Sequence, residues 1–329
     1  MRCGLIGRTL GHSFSKQLHE GLGRYSYDLI EIPPEQLEAT LRSGEYDGLN
    51  VTIPYKETVI PLLDELSPRA RATGAVNTVV RRGDRLWGDN TDFGGLEALI
   101  RRMGLELQGR TVLIAGTGGT SKTAAAVAEA LGAAEVLRLS RSSKPGVLTY
   151  EEAYEIRSHA QILINTTPVG MYPQVDASPV DLDRLPRLEG VVDVVYNPLS
   201  TRLVLEARKR GTPAENGLYM LVAQAMLAAG DFTGDPPGQD GALLKDIQHG
   251  IDRHGVRIRR HGGGLVAPAL GQHAGVKAAG LHGLVQRPHR AAHYLFILPR
   301  CLIHDRGGSI GGTASVYQPV HKFLGHPRA

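Results

Sequence analysis

Cysteine is scarce in this 329-residue chain: Cys3 and Cys301 stand alone and far apart. A disulfide-held scaffold is excluded, and a reducing compartment, the cytoplasm, is the expectation. Long apolar runs are also absent. None approaches the ~18 residues of a membrane-spanning helix, so no membrane partner is expected. The opening stretch MRCGLIGRTLGHS has no long apolar core and no small-residue cleavage site, so no signal peptide is expected. No internal repeat is evident. Apolar residues make up 42% of the chain, too many for a wholly disordered or fibrous protein. At roughly 100–200 residues per domain, the length fits two domains.

The net charge of +4 and the pI near 9.1 invite a search for an acidic partner. The position of the charge removes that invitation. Residues 1–248 are net −5, residues 249–329 are net +9, and the latter hold 10 of the 13 histidines. Two compositions therefore meet near residue 248: a mildly acidic globular sequence, then a basic tail rich in Gly and His.

Before that junction, short apolar runs alternate with helical spacing. Strands are expected at 1–7, 27–32, 48–53, 78–82 and 85–88, the last two pairing across Gly83-Asp84 as a hairpin. Helices are expected at 15–22, 34–41, 60–66 and 68–73, with a turn after Pro54. A second series follows: helices at 96–103, 121–131, 150–157 and 203–210, and strands at 111–115, 135–139, 162–165 and 191–195. This alternation predicts parallel strands joined by crossovers, with a sheet covered on both faces. An apolar helix at 217–229 closes the region.

The strand 111–115 runs into Gly116-Thr117-Gly118-Gly119-Thr120-Ser121 and then a helix. Such a loop lets a pyrophosphate approach backbone N–H groups at a helix N-terminus. An ordinary strand-to-helix turn would also use glycines there. Ser140-Arg141-Ser142 follows the next strand, where an NAD enzyme would place Asp or Glu. Two hydroxyls and a guanidinium suit a 2′-phosphate, which favours NADP.

Four polar clusters precede residue 95: His12-Ser13-Phe14-Ser15, Asn50-Val51-Thr52-Ile53-Pro54-Tyr55-Lys56, Gly74-Ala75-Val76-Asn77-Thr78 and Gly88-Asp89-Asn90-Thr91-Asp92. Each has a plain structural use as well. Ser13, Ser15, Thr91 or Asp92 can cap a helix, Lys56 can be a surface lysine, and Asn77 can occupy a turn. Together they suit a small polyhydroxylated ligand, with Lys56 and Asp92 as an acid/base couple.

In their order, these motifs resemble the shikimate dehydrogenase family over about residues 1–235. The series includes Asp193-x-x-Tyr196-x-Pro198-x-x-Thr201 and Gly217-Leu218-Tyr219-Met220-Leu221-Val222-x-Gln224. The chain departs from the usual family pattern at Thr9 and Lys16, where prolines are common, at Ser140, and at Asn165-Thr166-Thr167-Pro168. The resemblance implies an α/β protein: an N-terminal substrate domain (1–97, completed by a helix at 217–245), a Rossmann-type NADP domain (98–216), and an unassigned tail (246–329). It implies interconversion of 3-dehydroshikimate and shikimate with NADP, with Lys56 and Asp92 catalytic. Ser13, Ser15, Asn50, Thr52, Asn77, Asp92, Tyr196 and Gln224 would serve the substrate. Gly116, Thr117, Gly118, Gly119 and Thr120 would hold the pyrophosphate, and Ser140, Arg141 and Ser142 the 2′-phosphate. Val194 and Gly217 would lie near the nicotinamide. No metal is expected, nor a nucleic-acid partner, and the assembly would be a monomer or homodimer. The competing readings are a quinate/shikimate dehydrogenase of broader substrate or NAD use, and a dinucleotide-binding protein without catalysis.

The tail admits three readings: a His-rich metal site, a basic nucleic-acid arm, or a segment that is disordered or not selected to fold, as a shifted reading frame would be. Its histidines, such as His249, His254, His261 and His273, are dispersed without compact ligand spacing. No dense Lys/Arg run or interleaved aromatics mark a nucleic-acid arm. The abrupt change of composition favours the third reading. A chain ending at residue 248 should therefore retain wild-type oxidation of shikimate. A folded truncation that has lost turnover would refute this.

Overall fold

A computed structural model describes residues 1–10, 13–22 and 24–235. His12 and the tail from residue 246 lie outside the described residues.

The first half contains β1 (Arg2–Gly7), α1 (Ser15–Gly21), β2 (Ser26–Glu31), α2 (Leu37–Arg42), β3 (Gly48–Val51), α3 (Tyr55–Thr58), β4 (Glu65–Leu66), α4 (Pro68–Thr73), β5 (Thr78–Arg82), β6 (Arg85–Asp89) and α5 (Thr91–Arg102). Their sheet runs β2-β1-β3-β5-β6-β4. It is mixed: β5 is antiparallel to both β3 and β6, and the other pairs are parallel. The expected helix at 60–66 is corrected here. Only Ile60–Leu62 forms a 3-10 turn, and Glu65–Leu66 instead extends the sheet beside β6. Edge hydrogen bonds decide those two residues, and a local apolar period cannot show them.

The second half contains β7 (Thr111–Ala115), α6 (Gly119–Ala130), β8 (Glu135–Ser140), β9 (Leu148–Thr149), α7 (Tyr150–Ile156), β10 (Ile162–Asn165), β11 (Gly190–Asp193), α8 (Arg202–Lys209), β12 (Ala214–Glu215) and α9 (Leu218–Thr233). Every strand pair is parallel, in the order β12-β11-β10-β7-β8-β9. Counted from β7, that is the 3-2-1-4-5-6 order of a dinucleotide-binding sheet, with its switch point between β7 and β10. β7, β10 and β11 are buried along their whole lengths. Apolar clusters cover both faces of this sheet, and each fully buried Val, Leu or Ile contributes about 1.5–3 kcal/mol.

The last helix, α9, returns to the first sheet. The Phe232 ring occupies the space that a side chain at Gly48 of β3 would fill. On its other side α9 packs against α5 almost backbone to backbone: a Cβ at Gly95 would come within 2.7 Å of the Met220 carbonyl oxygen. The helix ends at Thr233 and does not run unbroken to 245 as expected. Gly234 adopts the left-handed conformation (φ 75°) that stops helices.

Asp231 of α9 lies beside Asp89, the buried last residue of β6, which is itself held by the Ser67 hydroxyl and the Arg69 guanidinium. Asp231 Oδ2 is sealed from solvent with no hydrogen-bond partner. Burial first, and then the charge of Asp89, pushes the Asp231 carboxyl up to about 7. The folded chain thus holds this proton more tightly than the unfolded chain, where Asp titrates near ~4. This contribution to stability is complete below the unfolded value and declines as pH rises toward about 7. Asp231→Asn, neutral throughout, should escape the decline. Thermal midpoints measured from about pH 4 to about pH 8 should start close together and separate in favour of the variant. Parallel curves would show that Asp231 does not titrate in that window.

Candidate active site

The candidate acid/base couple is assembled from two helix starts. β3 ends at Val51, and a turn closed by Tyr55 N–H to Thr52 O (2.9 Å) carries the chain into α3. Buried Tyr55 anchors that short helix by donating its hydroxyl proton to the Ile32 carbonyl. Lys56 follows, and its carbonyl accepts from Val76 N–H at 2.8 Å. Asp92 stands in the first turn of α5. The N-cap is Asn90, not Thr91 or Asp92: its Oδ1 accepts from Phe93 N–H (3.1 Å) and its Nδ2 reaches Thr73 Oγ1 and Ala75 O. Asp92 is left free to turn its carboxylate outward. Lys56 Nζ donates to Asp92 Oδ2 at 2.6 Å, with the side chains 28% and 20% exposed. The pair is thus partly shielded yet reachable.

A buried hydrogen-bond chain backs the pair. Asn77 Oδ1 accepts from Thr91 N–H (2.7 Å) and from the hydroxyls of Thr91 and Thr78 (3.1 Å each). The amide is thereby fixed with its Nδ2 as the uncommitted end. Asn50 is engaged at both ends: its Oδ1 accepts from Tyr27 Oη at 2.7 Å, and its Nδ2 donates to Asn77 O and Thr78 Oγ1. Asn50 is therefore a buried brace behind Asn77. The Ser15 side chain lies beside the Tyr27 phenol, and Ser13 Oγ accepts from Ser15 N–H. Tyr27 is fully buried, and burial holds its hydroxyl well above the ordinary tyrosine value. The His19 ring stacks on Tyr27 at 4.1 Å, and burial pushes its imidazole down to about 4. Sequence reasoning missed Tyr27 and His19 as supports because each has the spacing of an ordinary core residue.

Gln224 lies on α9 beside Gly95 of α5, with its Nε2 donating to Leu221 O at 2.8 Å. The α5–α9 contact therefore brings Gln224 toward the helix that begins at Asp92. Tyr196 meets Phe14, next to the two serines, edge to face at 5.9 Å.

The glycine loop leaves β7 with Gly116 at φ 112°, where a Cβ would press on Thr166 Oγ1. Gly118 caps α6 and Gly119 opens it, and a Cβ at either would meet open space. In place of a third glycine, Ser121 donates its hydroxyl to the Gly118 carbonyl at 2.7 Å. The first N–H groups of the 12-residue α6, from Gly119 and Thr120, have no partner within the helix and border that open face. The loop therefore fits a phosphate group. Ser140 ends β8, exposed Arg141 and Ser142 follow, and Ser142 N–H donates to Ser140 Oγ (3.3 Å). On the other side of the switch point, the backbone of Gly217 abuts the Val194 carbonyl with no room for a side chain. Lys122 in α6 pairs with Glu57, the neighbour of Lys56, at 2.7 Å. The glycine-loop helix is thereby tied to the helix of the candidate acid.

A family model for the "Shikimate dehydrogenase substrate binding domain" matches residues 5–79. A relative from Halothermothrix orenii, named shikimate dehydrogenase (NADP(+)), is 38% identical over 263 residues, covering 71% of this chain and 91% of that protein. This chain belongs to the shikimate dehydrogenase family. A second relative of the same name, from Shouchella clausii, is also 38% identical, over 72% of this chain and 94% of that protein. Among solved structures, shikimate dehydrogenase 1 from Peptoclostridium difficile superposes with a TM-score of 0.68 at 32% identity, covering 77% of this chain and 98% of that one. The Thermus thermophilus enzyme, solved with NADP(H) and shikimate, gives 0.66 at 31% identity, covering 78% and 99%. The family's fold, a substrate-binding α/β part with a Rossmann-type parallel sheet, is the fold described above. Among the described residues, no helix is long and apolar enough to cross a membrane, and no three metal-ligating side chains cluster.

Proposed function

We propose that this chain is an NADP-dependent shikimate dehydrogenase, which reversibly reduces 3-dehydroshikimate to shikimate in aromatic amino-acid biosynthesis. The observation that carries the reading is the Lys56–Asp92 pair at 2.6 Å, on a helix that the Glu57–Lys122 bridge ties to the glycine-loop helix. Acid/base and dinucleotide machinery thus adjoin. The substrate part is residues 1–97 together with α9, and the cofactor part is residues 98–216. Both ligands are small molecules, and the reading requires neither nucleic acid nor membrane. A cytoplasmic location fits the scarcity of cysteine, Cys3 is a buried free thiol, and the assembly would be a monomer or homodimer.

NADPH, when bound, supplies the hydride. The protein's task is to place the substrate carbonyl and to move one proton. Lys56 Nζ gives a proton to the oxygen that becomes the new hydroxyl, and in the reverse direction it takes that proton back. The Asp92 carboxylate orients the ammonium and can accept a hydrogen bond from a neighbouring substrate hydroxyl. Asn77 offers its Nδ2, because its Oδ1 is committed to Thr91. Ser13, Ser15, Thr52, Tyr196 and Gln224 supply the remaining polar lining, with Asn50 bracing it from behind. The loop from Gly116 to Thr120 holds the pyrophosphate. Ser140, Arg141 and Ser142 hold the 2′-phosphate. Val194 and Gly217 border the nicotinamide end.

Two measurements test this. Lys56→Ala should lower kcat by about 10²–10⁴-fold with a smaller change in KM, as expected for a proton donor acting in the transition state. A kcat within a few-fold of wild type would remove Lys56 from the chemistry. Arg141→Ala should lower kcat/KM for NADP by about 10- to 100-fold, the loss of one charge-assisted contact, while use of NAD stays near its starting level. Equal losses with both dinucleotides would show that Arg141 does not read the 2′-phosphate. The same assay run on quinate separates a shikimate enzyme from one of broader substrate use.

A further inference from the structure

Asp193 closes β11 in a fully buried position, and no cationic side chain among the described residues pairs with it. Three neutral donors hold it instead. Its Oδ1 accepts from Asn165 Nδ2 (2.9 Å) and Val195 N–H (3.0 Å), and its Oδ2 accepts from Thr201 Oγ1 (2.6 Å). Asn165 and Thr201 are fully buried as well. A buried carboxylate without a counter-ion is a costly way to finish a strand, so the geometry it fixes is informative. Asn165 ends β10, directly across from Asp193 in the sheet register, and Thr201 caps α8. One carboxylate therefore ties two strand ends and a helix start together.

The segment leaving this hub is Val194–Val195–Tyr196. Val194 N–H bonds Asn165 O, Val195 N–H bonds Asp193 itself, and Val195 O receives Gly217 N–H, each at 3.0 Å. Gly217 seals the far side of Val194. The segment is thus clamped between the carboxylate hub and the start of α9, and Tyr196 continues from it to Phe14.

Topology says what this segment faces. With the pyrophosphate at the end of β7 and the adenosine phosphate at the end of β8, the dinucleotide must extend the other way, over β10 and β11, to place its nicotinamide. Resting on the NADP reading above, we propose that Asp193 is a positioning residue for the nicotinamide end of the site. Through three hydrogen bonds to neutral donors it holds the Val194–Tyr196 backbone against the place where the ring must lie, and its hydrogen-bonding geometry matters more than its charge.

The test compares two ligands by calorimetric titration without substrate: NADP⁺, and 2′-phospho-ADP-ribose, which lacks only the nicotinamide. Asp193→Ala should weaken NADP⁺ binding about tenfold or more, the loss of contacts of this class, while 2′-phospho-ADP-ribose binding stays within about twofold. Asp193→Asn should bind both ligands as wild type does. Its Oδ1 can keep the two donors from Asn165 and Val195, and its Nδ2 can donate to Thr201 Oγ1. Thr201→Val keeps the shape but removes the bond to Asp193, together with the cap that Thr201 Oγ1 gives Val204 N–H. It should show the Ala effect in smaller measure, and it carries the test if the Ala variant fails to fold. Equal weakening of both ligands, or of neither, would overturn the proposal. So would an Asn variant as impaired as Ala. A wild-type chain that binds neither ligand would overturn the NADP reading itself, and Asp193's role with it.

Discussion

The architecture hangs on the contact between α5 and α9. Two helices normally keep their axes 8–10 Å apart because side chains intervene. Here Gly95 lacks that side chain, and the backbone of α5 reaches that of α9 at Met220 and Gln224. The contact has two consequences. It fixes α9, which follows the cofactor sheet in the chain, onto the first helix after the substrate sheet, so the two sheets share a seam. It also sets Gln224 beside the helix whose first turn carries Asp92. The helix that carries Gln224 and the helix that carries Asp92 are therefore held by one packing constraint.

Around that seam, hydrogen bonds restrict what each polar group can do. An amide free to flip offers a ligand either a donor or an acceptor. Asn77 has lost that choice, because Thr91 and Thr78 take its oxygen. Asn50, saturated by Tyr27, Asn77 and Thr78, prevents the strand ends from shifting. Asn90 caps α5 and ties it to Ala75 and Thr73, so the Asn77 loop and the Asp92 helix cannot move apart. A site specified this way binds by prior orientation and gives up little entropy when its ligand arrives. The proposed hub at Asp193 applies the same device to the other sheet.

Much of this was legible in the sequence because it depends on short-range chemistry. The glycine loop after β7, the hydroxyl–guanidinium cluster after β8, and a lysine delivered just past a strand are local patterns with local causes. What stayed hidden depends on partners distant in the chain. Gly94-Gly95 reads as a weak point in a helix until Met220 is seen against it. Tyr27 and His19 read as core aromatics, because only the fold brings Ser15 and Asn50 to the same phenol. Asn165, Asp193 and Thr201 lie 28 and 8 residues apart in sequence and meet only when β10, β11 and α8 are docked. The same limit explains β4: two residues become a strand only because β6 offers an edge.

The charge of the chain sharpens the functional argument. Shikimate carries a carboxylate and NADP several phosphate charges, yet the region that binds them is net −5. The net charge of that region therefore does not explain how these anions are recognised. In the proposed function, recognition comes from donors placed where the ligand charge would arrive: the N–H groups at the start of α6, the Arg141 guanidinium and the Lys56 ammonium. Even Lys56 is not a free cation, since Asp92 neutralises it at 2.6 Å. That pairing keeps the proposed proton donor oriented without making the site a general anion trap. Specificity then rests on geometry at a few atoms, which is why so much of the surrounding sequence is spent on holding amides, hydroxyls and one buried carboxylate still.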